Sequence, residues 1–166
     1  MFIAVQGEKM IETVEDLARE IWNEYFVPMI GQKAVDFILS RFQSKDAIVR
    51  QIKEGYHYYL IRENHQAIGY FAVQTREEDK ELFLSKLYLK LEKRGKGYGR
   101  KVIRFLENMA REKDLDRITL TVYPKNTNAM RIYEKIGFKM IGPILRDLGN
   151  DLIVEDYKME KVIIYR

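Results

Sequence analysis

The chain has 166 residues, 46% of them hydrophobic, and a formal net charge of +4. That size suits one domain, residues 1–166, with a real core, and it excludes a disordered chain. The chain has no cysteine, which excludes disulfides, thiolate zinc sites and a cysteine nucleophile; it fits a reducing cytoplasm.

The opening residues turn polar after Val5, with no basic start and no long apolar run, so no signal peptide is expected. No stretch approaches the roughly 18 apolar residues of a membrane span. A cytoplasmic protein with no membrane partner is therefore the expectation. A short strand opens the chain. Residues 9–26 then read as a helix, because Ile11, Val14, Leu17, Ala18, Ile21, Trp22 and Tyr25 recur at three- and four-residue spacing. Pro28 and Gly31 break it. A second helical region covers 32–53, with Ser44 capping its second part and Gly55 ending it. Residues 56–62 and 68–75 form a hairpin around Asn64-His65-Gln66. A third strand spans 82–91, and a helix spans 98–113 with Val102, Phe105, Leu106, Met109 and Ala110 inward. Residues 118–123 are β-branched and read as a strand. Residues 127–136 form a helix closed by Gly137. Strands at 138–144 and 152–163 end the chain. The order β-αα-ββ-β-α-β-α-ββ predicts an α/β fold, α+β by some schemes, with helices around a mixed sheet.

Charge is uneven along this order. Lys90, Lys93, Arg94, Lys96, Arg100 and Lys101 stand against Glu92 alone, a local +5 within twelve residues. An anion is expected to dock there. The stretch Arg94-Gly95-Lys96-Gly97-Tyr98-Gly99-Arg100 joins a strand to a helix. Glycines let its backbone turn tightly and approach a ligand closely. The first N–H groups of the helix lack internal partners, and with the helix dipole they favour a phosphate or pyrophosphate. A plain lysine-rich turn is the competing reading of the segment alone. It is not a P-loop, since G-x-x-x-x-G-K-[ST] is absent. It is not a dinucleotide fingerprint either, because the glycine spacing differs and the unit comes late in the chain.

Arg94, Gly97 and Gly99 fit the motif Q/R-x-x-G-x-G/A, and Asn126, Ala129, Tyr133, Gly137 and Phe138 fit N-x-x-A-x-x-x-Y-x-x-x-G-F. With the element order around them, the chain resembles the GNAT superfamily of N-acetyltransferases. The resemblance implies a GNAT-type mixed central sheet and acetyl-CoA as cofactor. It implies that backbone N–H groups of Gly95, Lys96, Gly97, Tyr98, Gly99 and Arg100 hold the pyrophosphate, with Arg94 at the head of the motif. It implies that the pantetheine arm pairs with Leu87, Tyr88 and Leu89 like an added strand. By the same resemblance Leu89 N–H faces the thioester oxygen, Tyr133 serves the leaving thiolate as acid, and Ala129 belongs to the cofactor site. Tyr133 read alone is an interior helix tyrosine. Asn126 contacts cofactor, caps the helix, or does both.

Many relatives carry a glutamate on the motif strand at positions that here hold Ser85 and Phe83. Glu81, Asp147, Asp156, His57 and His65 are the remaining candidates, and each reads better as structural or solvated. A water-mediated route with no single essential carboxylate is the expectation. Trp22, Tyr25 and Phe26 line the acceptor site in the family's arrangement, opposite the turn 146–151. Asp147, Asp151, Glu155 and Asp156 near that mouth suit a polyamine or other small amine. A peptide or protein acceptor and a silent acetyl-CoA sensor are alternatives. A nucleic-acid-binding module is disfavoured, because no helix-turn-helix or RNA-binding aromatic motif is present. No metal is expected, and the resemblance suggests a homodimer.

Overall fold

The computed structural model describes residues 1–149 and 151–165. Its elements run β1 (Phe2–Ala4), α1 (Glu8–Tyr25), α2 (Val27–Ile30), α3 (Gln32–Phe42), α4 (Lys45–Lys53), β2 (Tyr56–Glu63), β3 (Gln66–Arg76) and β4 (Glu81–Leu89). A 3₁₀ turn (Leu91–Lys93) follows, then α5 (Tyr98–Glu112), β5 (Arg117–Val122), α6 (Thr127–Ile136), β6 (Lys139–Asp147) and β7 (Ile153–Val162). The strands form a seven-stranded sheet in the order β1-β2-β3-β4-β5-β7-β6. β4 and β5 are parallel, while β7 runs antiparallel to both β5 and β6. This is the mixed, helix-flanked sheet that the sequence predicts.

The breaks expected at Ser44 and around Pro28 and Gly31 are present and take a definite form. The helical region 32–53 is two helices, since Gln43 leaves the helical conformation and the Ser44 hydroxyl accepts from the Ala47 N–H at 3.2 Å to start α4. Pro28 does not break the chain into a loop. It sits in the first turn of α2, where a missing N–H costs nothing.

The chain divides into two compact units. The first comprises Met1–Gln74 with Lys86–Tyr98. Its core is the buried stripe of α1 (Val14, Ala18, Ile21, Trp22) with Val35, Ile48, Tyr58, Leu60, Tyr70 and Ala72. β2 and β3 meet at Asn64 and His65, both with positive φ, as a two-residue hairpin of the twisted kind requires. β3 passes unusually close to the next strand: a Cβ on Gly69 would lie 2.4 Å from the Tyr88 carbonyl oxygen. Glycine is therefore required at 69.

The second unit comprises Thr75–Ser85 with Gly99–Arg166. α5 buries Val102, Ile103, Leu106 and Ala110 and exposes Arg100, Lys101 and Arg104. β5 pairs with β4 through Glu81, Leu82 and Phe83. α6 ends in a left-handed Gly137 whose N–H bonds back to the Tyr133 and Glu134 carbonyls, and Phe138 N–H follows to Tyr133. β6 is the outermost strand. Its ladder to β7 slips between Met140 and Gly142, and Pro143 follows directly.

Candidate functional site

The turn between β4 and α5 is built by local backbone rules. Arg94 is extended; Gly95 and Gly97 take φ of 74° and 89°, where a side chain would be strained. No atom approaches within 4 Å of where a Cβ would stand at Gly95, Gly97 or Gly99. The bend is thus open on its outer side, and it delivers the chain into a helix of 15 residues. The first amides of α5 have no carbonyl of their own helix to bond, and such a helix start favours an anion. Lys96 and Arg100 stand exposed beside it, and no ion pair is seen for either among the described residues.

The sequence treats the six cations of this region as one cluster; the structure sorts them. Lys90 pairs with Glu20 at 3.5 Å and Lys93 with Glu63 at 2.5 Å. The Tyr98 hydroxyl also donates to Glu63. The Arg94 guanidinium lies 3.9 Å over the Tyr25 ring while its Nε donates to the Leu89 carbonyl at 3.4 Å. These three cations fasten the turn to α1 and β2. Arg94, at the head of the motif, is a strut that holds the bend against the end of β4.

Leu87, Tyr88 and Leu89 are half-buried on the outer part of β4. Tyr88 packs edge-on to Trp22, with centroids 5.3 Å apart, and tilts against Tyr70 at 5.5 Å. Trp22 and Phe26 are each 7% exposed and stack on one another at 4.0 Å. Their rings form a floor under Tyr88, and Tyr25 is drawn toward Arg94. The Trp22 indole N–H is buried without an ordinary hydrogen-bond partner; its weak interaction with the Tyr70 hydroxyl partly offsets the burial that pushes that phenol up.

In the second unit Asn126 is buried, and its Oδ1 accepts from the Ala129 N–H at 3.3 Å, so it caps α6. Tyr133 lies half-buried on α6 with its ring edge-on to Phe138. Two carboxylates expected to be solvated are not. Glu81 is 3% exposed, because it accepts from the Thr119 hydroxyl and lies near Arg76 and Lys158. Asp156 is 6% exposed and pairs with Arg146 at 2.8 Å. Asp147 is exposed and accepts from the Gly149 N–H. Asn150, the centre of that expected turn, lies outside the described residues. Among the described residues no group of three His, Asp or Glu side chains could hold a metal ion, and no helix is long and apolar enough to cross a membrane.

The sequence reading missed Lys86. It is 6% exposed on β4, and its Nζ donates to the Phe42 carbonyl and, at 2.6 Å, to the Tyr58 hydroxyl. Strand parity carried the signal: Leu82 and Leu84 hold the buried phase of β4, and Lys86 comes next on it.

A model of the acetyltransferase (GNAT) family matches residues 10–138, which contain the bend, the helix it starts and both motifs. The chain belongs to the GNAT acetyltransferase family. It is an acyltransferase, and the family's acyl donor is acetyl-CoA. Solved structures share the fold across nearly the whole chain. A PaiA N-acetyltransferase from Thermoplasma acidophilum, solved with coenzyme A, is 21% identical over 98% of this chain and 99% of its own, with a TM-score of 0.76. A GCN5-related N-acetyltransferase from Rhodopseudomonas palustris is 11% identical over 98% and 94%, with a TM-score of 0.78. A spermidine N-acetyltransferase chimera from Vibrio cholerae and hSSAT is 15% identical over 98% and 94%, with a TM-score of 0.70. The bend matched by the family model leaves open space around its glycine α-carbons and carries two exposed cations, Lys96 and Arg100.

Proposed function

We propose that this GNAT enzyme transfers an acetyl group from acetyl-CoA to a primary amine by direct attack in a ternary complex, with residues 1–166 acting as one domain. The acceptor is a small cationic amine of the polyamine class. The observation that carries the cofactor assignment is the open bend at Gly95 and Gly97 leading into α5. Amides of residues 95–100 hold the diphosphate, and Lys96 and Arg100 add charge. Leu87, Tyr88 and Leu89 offer backbone to the pantetheine amides. The fact that β4 pairs with β5 only through residues 81–83 supports this. The bound group supplies an activated thioester carbonyl. Leu89 N–H donates to the oxygen of that carbonyl, where charge builds. The Tyr133 hydroxyl gives its proton to the departing sulfur. Asn126 caps α6 through the Ala129 N–H and is assigned with it to the cofactor site.

The acceptor arrives as an ammonium with a pKa near 10.4 and must lose a proton first. Glu81 and Asp156 are engaged in buried pairs, and Ser85 and Phe83 carry no carboxylate. Water therefore takes that proton, and no single carboxylate is essential. The exposed acids Asp147, Asp151 and Glu155 favour a cationic acceptor. The test is a screen of polyamines, other small amines and peptides with thiol release as the readout. Turnover with polyamines supports this reading. Turnover with peptides alone would assign a protein acceptor. Coenzyme A binding without any turnover would make the chain a sensor of acetyl-CoA.

A further inference from the structure

Lys86 is the least expected side chain in the first unit. A lysine buried this deeply ordinarily pairs with a carboxylate, and none pairs with it among the described residues. Instead it closes a ring of neutral groups. Lys86 Nζ donates to the Phe42 carbonyl and the Tyr58 hydroxyl; Tyr58 donates to Gln51 Oε1; Gln51 Nε2 returns to the Phe42 carbonyl at 3.0 Å. The ring ties β4 to β2 and to the junction of α3 and α4. Beside it, Tyr58 stacks on Tyr70, and Tyr70 meets Tyr88.

The Tyr58 ring, its centroid 5.1 Å from Nζ, and the two oxygens that accept from Lys86 favour its charge; burial and a neighbouring cation oppose it and prevail. Burial is the main effect, the Arg50 cation on α4 the next, and together they bring the ammonium down to about 7. Arg50 has its own partner in Glu54 at 3.8 Å. From β2, β3 and β4 come the phenols of Tyr58, Tyr70 and Tyr88. Burial holds Tyr58 and Tyr70 well above the ordinary phenol range, so they stay neutral. Among the described residues no anion pairs with Lys86 to compensate its proton.

Lys86 also immediately precedes Leu87, Tyr88 and Leu89. We propose that Lys86 is a positioning residue for cofactor capture: its neutral form keeps the ring closed and residues 87–89 in place, and its charged form loosens that strand and weakens coenzyme A binding. This rests on the reading that residues 87–89 receive the pantetheine arm. A charge that seeks water can reach it only by opening the ring, and the ring is the anchor of the strand's start.

The test measures the dissociation constant of coenzyme A by calorimetry at pH 6 and pH 8, for the native protein and for Lys86→Met. If only the neutral form binds well, native affinity falls about tenfold at pH 6, following the neutral fraction. Lys86→Met should change less than twofold beyond what titration of the ligand phosphate imposes on both proteins. A second measurement needs no variant. Binding and protonation are reciprocal, so coenzyme A must lower the titration midpoint of Lys86 followed by the NMR of ¹³C-labelled lysine. Equal pH profiles in the two proteins, tighter native binding at pH 6, or an unmoved Lys86 midpoint would each overturn the inference while leaving the cofactor site intact. No coenzyme A binding at any pH would overturn the cofactor reading and this inference with it.

Discussion

At Gly97 the backbone φ of 89° admits glycine at no cost and any other residue only under strain. Gly97→Ala should cost about 1–2 kcal/mol if the bend is kept. If the bend instead relaxes to relieve that strain, its amides no longer point as they did, and the dissociation constant of coenzyme A should rise about tenfold by calorimetry. Tyr133 gives the complementary case. Tyr133→Phe keeps the ring that meets Phe138 and removes only the hydroxyl. Turnover should fall by about a hundredfold, while coenzyme A affinity stays within a factor of two; thiol release and calorimetry read the two effects separately. If turnover survived intact, the acid would have to be sought elsewhere. Arg94, at the head of the motif, has its guanidinium on the Tyr25 ring and its Nε toward the Leu89 carbonyl. Pattern fixes a residue's position along the chain but says nothing about a partner from a helix seventy residues earlier.

At the scale of elements, β3 and β4 are the sensitive pair. Gly69→Ala would drive a methyl group against the Tyr88 carbonyl, a backbone atom that cannot turn aside. A loss of about 1–3 kcal/mol is expected in urea unfolding, together with weaker coenzyme A binding, because the displaced residues include Tyr88 and Leu89. The elements themselves were legible to within a few residues. Helical periodicity marked α1 and α5, and Asn126 and Gly137 marked the two ends of α6. The signals there are local: a cap three residues from its amide, a glycine just past the last turn. What the sequence concealed is non-local. Glu81 and Asp156 read as surface charges because their neighbours in sequence are polar. Their burial comes from Thr119, Lys158 and Arg146, which the fold brings from other strands or from across a hairpin.

At the scale of the whole molecule, Lys86 shapes the response to pH. Its folded value of about 7 lies below the ordinary lysine value of 10.5. Between those values the unfolded chain binds more protons, so stability rises with pH, by at most about 1.4 kcal/mol per unit from this group. Below about pH 7 both states are protonated and its contribution is flat. Above pH 10 the sign reverses, because unfolded tyrosines ionise while burial keeps Tyr58 and Tyr70 neutral. Urea midpoints should therefore climb from pH 7 to a maximum before pH 10, and Lys86→Met should flatten the climb. A native profile without that rise would mean that the ring accommodates the charge.

An edge strand advertises spare amides to any extended chain it meets, and β6 carries exposed Met140, Ile141, Ile144 and Leu145. Pro143 withholds one donor, and the slipped pairing before Gly142 skews the rim. Replacing Pro143 with valine would restore a regular, sticky border. Light scattering of concentrated protein should then show slow growth of large particles that the native chain does not form.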